Sequence, residues 1–313
     1  MSVTQYIYLY ARHWDDEELC RLEMRAFFNK DSMTNVLMSE LAIDPSRSTF
    51  IKGRLDVLFQ ANNWSSFVDL AKQFQFDGET FKVTSLNHSK WNTTTKMELS
   101  ERRTLEKEIG LQIVGEPDLD HPDRQFYFIN IDDTWYFGTY IESKAVSLQH
   151  KNKPHSYSTA LSTVLARTVA NIAAPFPDGV TVIDPCCGIG NVLVEALAMD
   201  FDIVGSDINW LVVKHTRENI AFFGYDCDVT TRPIAAITEQ YDVAIIDMPY
   251  NIFTSASPEQ QYAILVEARR ISKKAVIVSI ASIDNILKEV GFTIVDQCEA
   301  KKSTFVRQIY VCN

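Results

Sequence analysis

From Thr159 onward short apolar runs alternate with longer helical ones, and this alternation restricts the fold more than any other feature. TALSTVLARTVANIA reads as a helix, TVIDPCC as a strand, VLVEALAM as a helix, DIVGSDI as a strand, WLVVKHTRENIAFF as a helix, YDVAIIDMP as a strand and KKAVIVSI as another. Short apolar strands separated by helices predict a parallel, doubly wound α/β sheet. In such sheets ligands bind beyond the carboxyl ends of the strands, so the residues that end each strand are the first candidates for chemistry.

The first of these strands runs into Cys186-Cys187-Gly188-Ile189-Gly190-Asn191 before the next helix. Glycines at that turn let the backbone approach a ligand closely. A dinucleotide fingerprint expects a third glycine, where Leu193 stands, and Asp184 just before the turn would repel a pyrophosphate. A carboxylate there suits a ligand with a cationic amino group, such as the methionine part of S-adenosylmethionine. The second strand ends in Asp207-Ile208. Asp207 can accept hydrogen bonds from both hydroxyls of a ribose, a device that NAD enzymes share. Either acid alone also suits a helix N-cap. Together with the turn they give a candidate cofactor set of Asp184, Cys186, Gly188, Gly190, Asn191, Asp207 and Ile208.

The strand DVAIID ends in Asp247-Met248-Pro249-Tyr250, the candidate catalytic loop. The amine of a nucleobase is a poor nucleophile while its lone pair is delocalised into the ring. A carboxylate (Asp247) and a backbone carbonyl (Met248) can accept its two N–H bonds and localise that pair. An aromatic ring (Tyr250) can stack on the base, worth about 1–3 kcal/mol.

The N-terminal half reads differently. QYIYLYA, STFIKGRLDVLFQ and FKVTSLNH look like strands, DDEELCRLEMRAFF and NWSSFVDLAKQF like helices. KMELSERRTLEKEIGLQI predicts a charged helix ending near Gly110, and RQFYFINIDDTWYFGTYI a hairpin turned at Asp132-Asp133. HKNKPHSY, polar and basic, is the linker candidate, so a segment beginning near Lys153 would hold every cofactor motif. The net charge of −11 argues against nucleic-acid binding by bulk charge. Local basic stretches remain, and they nominate Lys82, Lys90, Lys96, Arg102, Arg103, Lys151 and Lys153 as phosphate contacts. Six dispersed cysteines without a CxxC pair read as reduced thiols in a cytoplasmic protein, with no metal site. No apolar run approaches the roughly 18–20 residues that span a bilayer, so no membrane association is expected.

DPCCGIGNVLVEA resembles the DPFCGSGT-type loop of amino-methyltransferases, and DMPY resembles their D/N-P-P-Y motif. More widely, ARTVANIA, IVGSDIN, VRQIYV and ERRTLEKEIGLQIVGEPDLDHPDRQFYFINIDD look like the THUMP-domain RNA methyltransferases, specifically the tRNA guanine-N2 enzymes. The resemblance implies a Rossmann-like methyltransferase domain over 151–313, a THUMP-like RNA-binding module over 81–150 and a ferredoxin-like α+β domain over 1–80. It implies methyl transfer from S-adenosylmethionine to N2 of a guanine in RNA, most naturally tRNA. Two departures stand out. Met248 replaces a proline, which should loosen the turn, and Arg232-Pro233 follows the third strand where Gly-Asp would hold the adenine amine. An amino-methyltransferase acting on rRNA, DNA or protein, or a catalytically weak RNA-binding relative, are the competing readings.

Overall fold

A computed structural model describes residues 5–31, 34–87, 96–157, 160–249, 257–302 and 305–313. The chain divides into two compact units. The first comprises residues 1–11, 32–46 and 50–144, and the second residues 12–31, 47–49 and 145–313.

The first unit is built on β1 (Gln5–Tyr10), β2 (Val36–Ser39), β3 (Ile51–Ala61), α2 (Trp64–Gln73), β4 (Thr80–Ser85), α3 (Leu99–Gly110), β5 (Glu116–Pro117), β6 (Arg124–Ile131) and β7 (Thr134–Glu142). The helix numbered α1 belongs to the other unit. Its seven strands form one sheet in the order β2-β1-β3-β7-β6-β4-β5. The expected hairpin joins β6 to β7, and Asp132 and Asp133 both take positive φ (47° and 64°) as a two-residue turn of the I′ kind requires. Asn63 starts α2 by accepting the Ser66 N–H at 2.8 Å. The expected boundary between residues 80 and 81 falls inside this sheet. The long apolar strand β3 needs a partner on each edge, and it takes β1 on one side and β7, from beyond the boundary, on the other.

The second unit contains α1 (Glu17–Phe28), α4 (Thr163–Ala173), β8 (Thr181–Asp184), α5 (Asn191–Leu197), β9 (Asp202–Asp207), α6 (Trp210–Phe222), β10 (Val229–Thr231), β11 (Tyr241–Asp247), α7 (Pro258–Ile271), β12 (Ser272–Ser279), α8 (Asp284–Val290), β13 (Ile294–Lys302) and β14 (Phe305–Cys312). Its sheet runs β10-β9-β8-β11-β12-β14-β13. The first five are parallel, while β14 is antiparallel to both β12 and β13. This is the doubly wound α/β sheet the alternation predicts. From β8 the chain winds outward through β9 and β10, then returns to the other side of β8 with β11. The strand order therefore reverses between β8 and β11, and the crevice at such a reversal is where open α/β sheets bind ligands.

The helix α1, although it precedes most of the first unit in sequence, packs on α4 and β13. Its Glu23, fully buried, accepts from Ser48 Oγ at 2.5 Å and from Asn171 Nδ2 at 2.7 Å. Arg47 donates to Asn171 Oδ1 and to the Pro175 carbonyl, and Arg167 bridges the Arg47 carbonyl and Glu195. Glu195 meets His150 Nδ1 at 2.9 Å. His150, read from sequence as part of a basic linker, is thus a buried member of this network. Among the described residues no helix is long and apolar enough to cross a membrane.

Candidate active site

Asp184 ends β8 and Asp247 ends β11, the two strands that flank the reversal, and both line one cleft with about 300 Å³ of empty space. Cys186, Gly188 and Asn191 line it too, as do Tyr157 and Leu161 from the segment before α4. The turn between β8 and α5 is held by its own backbone. Cys187 N–H donates to the Ser206 carbonyl and Gly190 N–H to the Cys187 carbonyl, both at 2.9 Å. Gly188 and Gly190 take positive φ of 52° and 80°. A Cβ on Gly190 would come within 2.6 Å of the Thr216 methyl, so α6 approaches the turn too closely for a side chain there. Thr216 Oγ1 also donates to the Gly188 carbonyl.

Asp207 ends β9 beside this turn, and its carboxylate accepts Gly188 N–H at 3.1 Å and Asn209 N–H at 2.9 Å. It therefore braces the turn and holds Asn209, the residue that caps α6, while keeping lone pairs for a ligand. Asp184 is buried and accepts the Cys186 N–H at 3.3 Å. Burial pushes its carboxyl well above the usual carboxylate range, and the nearby charges of Asp247 and Asp207 push the same way against that N–H. Burial likewise raises the Cys186 and Cys187 thiols, so neither is a ready thiolate.

Met248 differs from its sequence reading. Its side chain is buried among Ile183, Ile246 and Leu265, and its N–H donates to the Val278 carbonyl at 2.9 Å. Core packing and a hydrogen bond to β12 thus supply stiffness in place of a proline ring. Pro249 is exposed, and Tyr250 lies outside the described residues. Ile208 is 75% exposed and Trp210 67%, both just past the end of β9. Arg232, after β10, pairs with Glu239 at 3.0 Å, and its N–H donates to the Asp207 carbonyl.

The basic residues divide. Lys96, Arg103 and Lys151 are exposed and Arg102 is half-buried. Lys82 gives its ammonium to the Leu119 carbonyl at 2.8 Å. Lys153 is half-buried, and its pKa is lowered by desolvation. Lys90 lies outside the described residues.

Residues 151–290 match the family described as UPF0020, RMKL-like methyltransferase domain. This part of the chain is therefore similar to the methyltransferase domains of that family. Two curated relatives also match the chain. The tRNA (guanine(10)-N2)-dimethyltransferase of Methanothermobacter thermautotrophicus is 32% identical over 171 residues, 50% of each chain. The protein of the same name from Methanocaldococcus jannaschii is 26% identical over 174 residues, 50% of this chain and 49% of its own. The chain spans about half the length of these relatives within the match. Among solved structures, TrmN from Thermus thermophilus aligns over 99% of both chains at 13% identity, with a TM-score of 0.49.

Sequence reasoning found the ends of β8, β9 and β11 because chemistry at a strand end follows directly from the alternation. It missed Tyr157. The signal was an aromatic residue a few positions before the first helix of the doubly wound region, which means nothing until that segment is seen across the glycine turn.

Proposed function

We propose that the protein transfers a methyl group from S-adenosylmethionine to the exocyclic N2 of a guanine in structured RNA, and that this RNA is a tRNA. The observation that carries the reading is the meeting of Asp184 and Asp247 in one cleft at the strand reversal, with the glycine turn between them. The names of the two archaeal relatives support the choice of substrate.

The residues present fit the cofactor. Its ammonium needs buried acceptors, and the cleft offers the Asp184 carboxylate. It also offers Asn191 Oδ1, a buried oxygen with no hydrogen-bond partner among the described residues. Asp207 has lone pairs left for ribose hydroxyls. When bound, S-adenosylmethionine would supply an electrophilic methyl group. Asp247 is placed to accept one N–H of the target amine, with the Met248 carbonyl taking the other, and to receive the proton that the nitrogen sheds. A base inside a helix cannot reach such a cleft, so the guanine has to be extruded from its stack. Exposed Lys96, Arg103 and Lys151 support a role in holding phosphates, and the first unit is the proposed RNA grip. Six free cysteines suit a reducing, cytoplasmic setting.

The test is Asp247→Ala, assayed on tRNA lacking the modification, beside rRNA and duplex DNA as competitors. Methyl transfer should fall at least a hundredfold while S-adenosylmethionine affinity, measured by calorimetry, stays within about twofold. A variant that keeps a tenth of wild-type turnover removes Asp247 as the amine acceptor. Preference for rRNA or DNA removes the tRNA assignment.

A further inference from the structure

The cleft is lined by the glycine turn and by the chain through Tyr157 that precedes α4. A Cβ on Gly188 would lie 2.6 Å from the Tyr157 hydroxyl oxygen, so these two walls run against each other. Both are held from behind by α6, which turns two buried polar side chains inward. Thr216 and Asn219 are three residues apart and so neighbours on one face of the helix.

Each takes a carbonyl of the turn. Thr216 Oγ1 donates to the Gly188 carbonyl, and Asn219 Nδ2 donates to the Ile189 carbonyl at 3.0 Å. In a trans peptide the carbonyl and the next N–H point to opposite sides. Holding the Ile189 carbonyl toward α6 therefore turns the Gly190 N–H the other way, where it meets the Cys187 carbonyl at 2.9 Å. Ile189 stands between two glycines at positive φ, where the backbone reorients at least cost, so an outside grip on this peptide has work to do. The same carboxamide also holds the other wall. Its Oδ1 accepts the His155 N–H at 2.9 Å, and Nδ2 donates to the His155 carbonyl at 3.1 Å. One side chain thus satisfies both backbone groups of His155, as a neighbouring strand would, and ties them to the turn. The His155 ring is fixed to α6 as well, 2.5 Å from Glu218 and stacked on His215 with centroids 4.0 Å apart.

We infer that Asn219 is a positioning residue for the cofactor site, setting the width of the cleft by joining the wall at His155 to the glycine turn, an inference that rests on the S-adenosylmethionine reading. Asn219 is not itself among the residues that line the cleft, so it acts through Ile189 and His155. An oxygen in place of Nδ2 would face two carbonyls and push the walls apart.

Asn219→Asp makes that exchange without changing shape, and Ile220→Val trims the buried apolar side of the same helix as a measure of lost stability alone. Calorimetry on the full chain, well below the thermal transition of each protein, should show Asn219→Asp binding S-adenosylhomocysteine about tenfold more weakly than wild type, with Ile220→Val within about twofold. A lowered transition with wild-type affinity would mean that the carboxamide only stabilises the fold. An equal loss of affinity in Ile220→Val would mean that any loosening of α6 weakens the site. Both results overturn the inference while leaving the cofactor reading intact. Hydrogen exchange on the wild type needs no variant that folds. Saturating S-adenosylhomocysteine should slow exchange at residues 153–157 as well as at 186–192, and protection confined to the turn overturns the inference. A wild-type protein that does not bind S-adenosylhomocysteine removes the cofactor reading and this inference together.

Discussion

Against the sheet of the first unit lie Phe67, Phe74, Phe126, Phe128 and Phe137, buried, with ring centroids 5.1–6.3 Å apart. In the helical layer of the second unit, Glu23, Arg167, Asn171 and Glu195 are as deeply buried and are all polar. The aromatic cluster is held by apolar area and by edge-on, tilted and stacked ring contacts, which together tolerate substitutions of similar volume. The polar cluster is held by geometry. Each member is satisfied only while its partners are present, and removing one leaves a buried charge or amide behind. The partners also come from far apart in sequence. Glu23 and Arg47 reach Asn171, and His150 reaches Glu195, so the second unit is not a contiguous segment.

The most severe way to break this contrast is to delete residues 1–152. The sequence alone suggests that a segment starting near Lys153 should fold, since every cofactor motif remains. The structure predicts the opposite. Deletion strips α1 from α4 and β13, removes Arg47, Ser48 and His150, and leaves Arg167, Asn171 and Glu195 in a layer opened to water. We expect no cooperative unfolding transition by circular dichroism and no cofactor binding. A truncated protein with a sharp thermal transition would show that the polar layer is dispensable.

A pair of single substitutions sharpens the comparison. Arg167→Leu removes one partner of Glu195 and one of two donors to the Arg47 carbonyl, at 2.8 Å and 2.7 Å. Breaking a buried ion pair in this way costs about 3–5 kcal/mol. Phe67→Leu in the aromatic cluster should cost about 1–1.5 kcal/mol, because the cluster can close around a side chain of similar volume. Urea unfolding of both variants reads the difference, and equal losses would erase the distinction between the two kinds of core.

The contrast also explains what could be read beforehand. The strand ends carrying Asp184, Asp207 and Asp247 were legible because the period of the pattern fixes where strands stop. The hairpin was legible because Asp132-Asp133 suits the positive φ of a tight turn. The polar layer was not, although it left traces. Glu23 interrupts the apolar side of α1 among Leu19, Leu22 and Met24, and Arg167 and Asn171 sit four apart in a mostly apolar α4. Such residues announce that partners exist without saying where, and here each of the three has a partner more than a hundred positions away. The four-residue β2 carried too little pattern to be seen. Lys82 reads as a phosphate contact by composition, yet its ammonium is engaged with the Leu119 carbonyl.

The narrowest of the expected effects isolates one proton. Burial raises the Glu23 carboxyl from 4.5 to about 7, against the hydrogen bonds from Ser48 and Asn171 and the charges of Arg167 and Arg47, which lower it. The folded chain therefore holds this proton more tightly than the unfolded chain does. The resulting stability is fully present below about 4.5, shrinks as the pH rises, and is gone above about 7. A shift of this size corresponds to roughly 1–3 kcal/mol across that window. Glu23→Gln keeps both hydrogen bonds, since an amide can accept from Asn171 and donate to the Ser48 hydroxyl, but it has no proton to lose. Urea midpoints for the wild type should fall between pH 5 and pH 8 relative to the variant, with Glu23→Gln the more stable protein at pH 8. The aromatic cluster contributes no titrating group, so Phe67→Leu should shift the wild-type curve downward without changing its slope. A Glu23→Gln protein whose pH profile parallels the wild type would mean that Glu23 is ionised throughout, held so by Arg47 and Arg167.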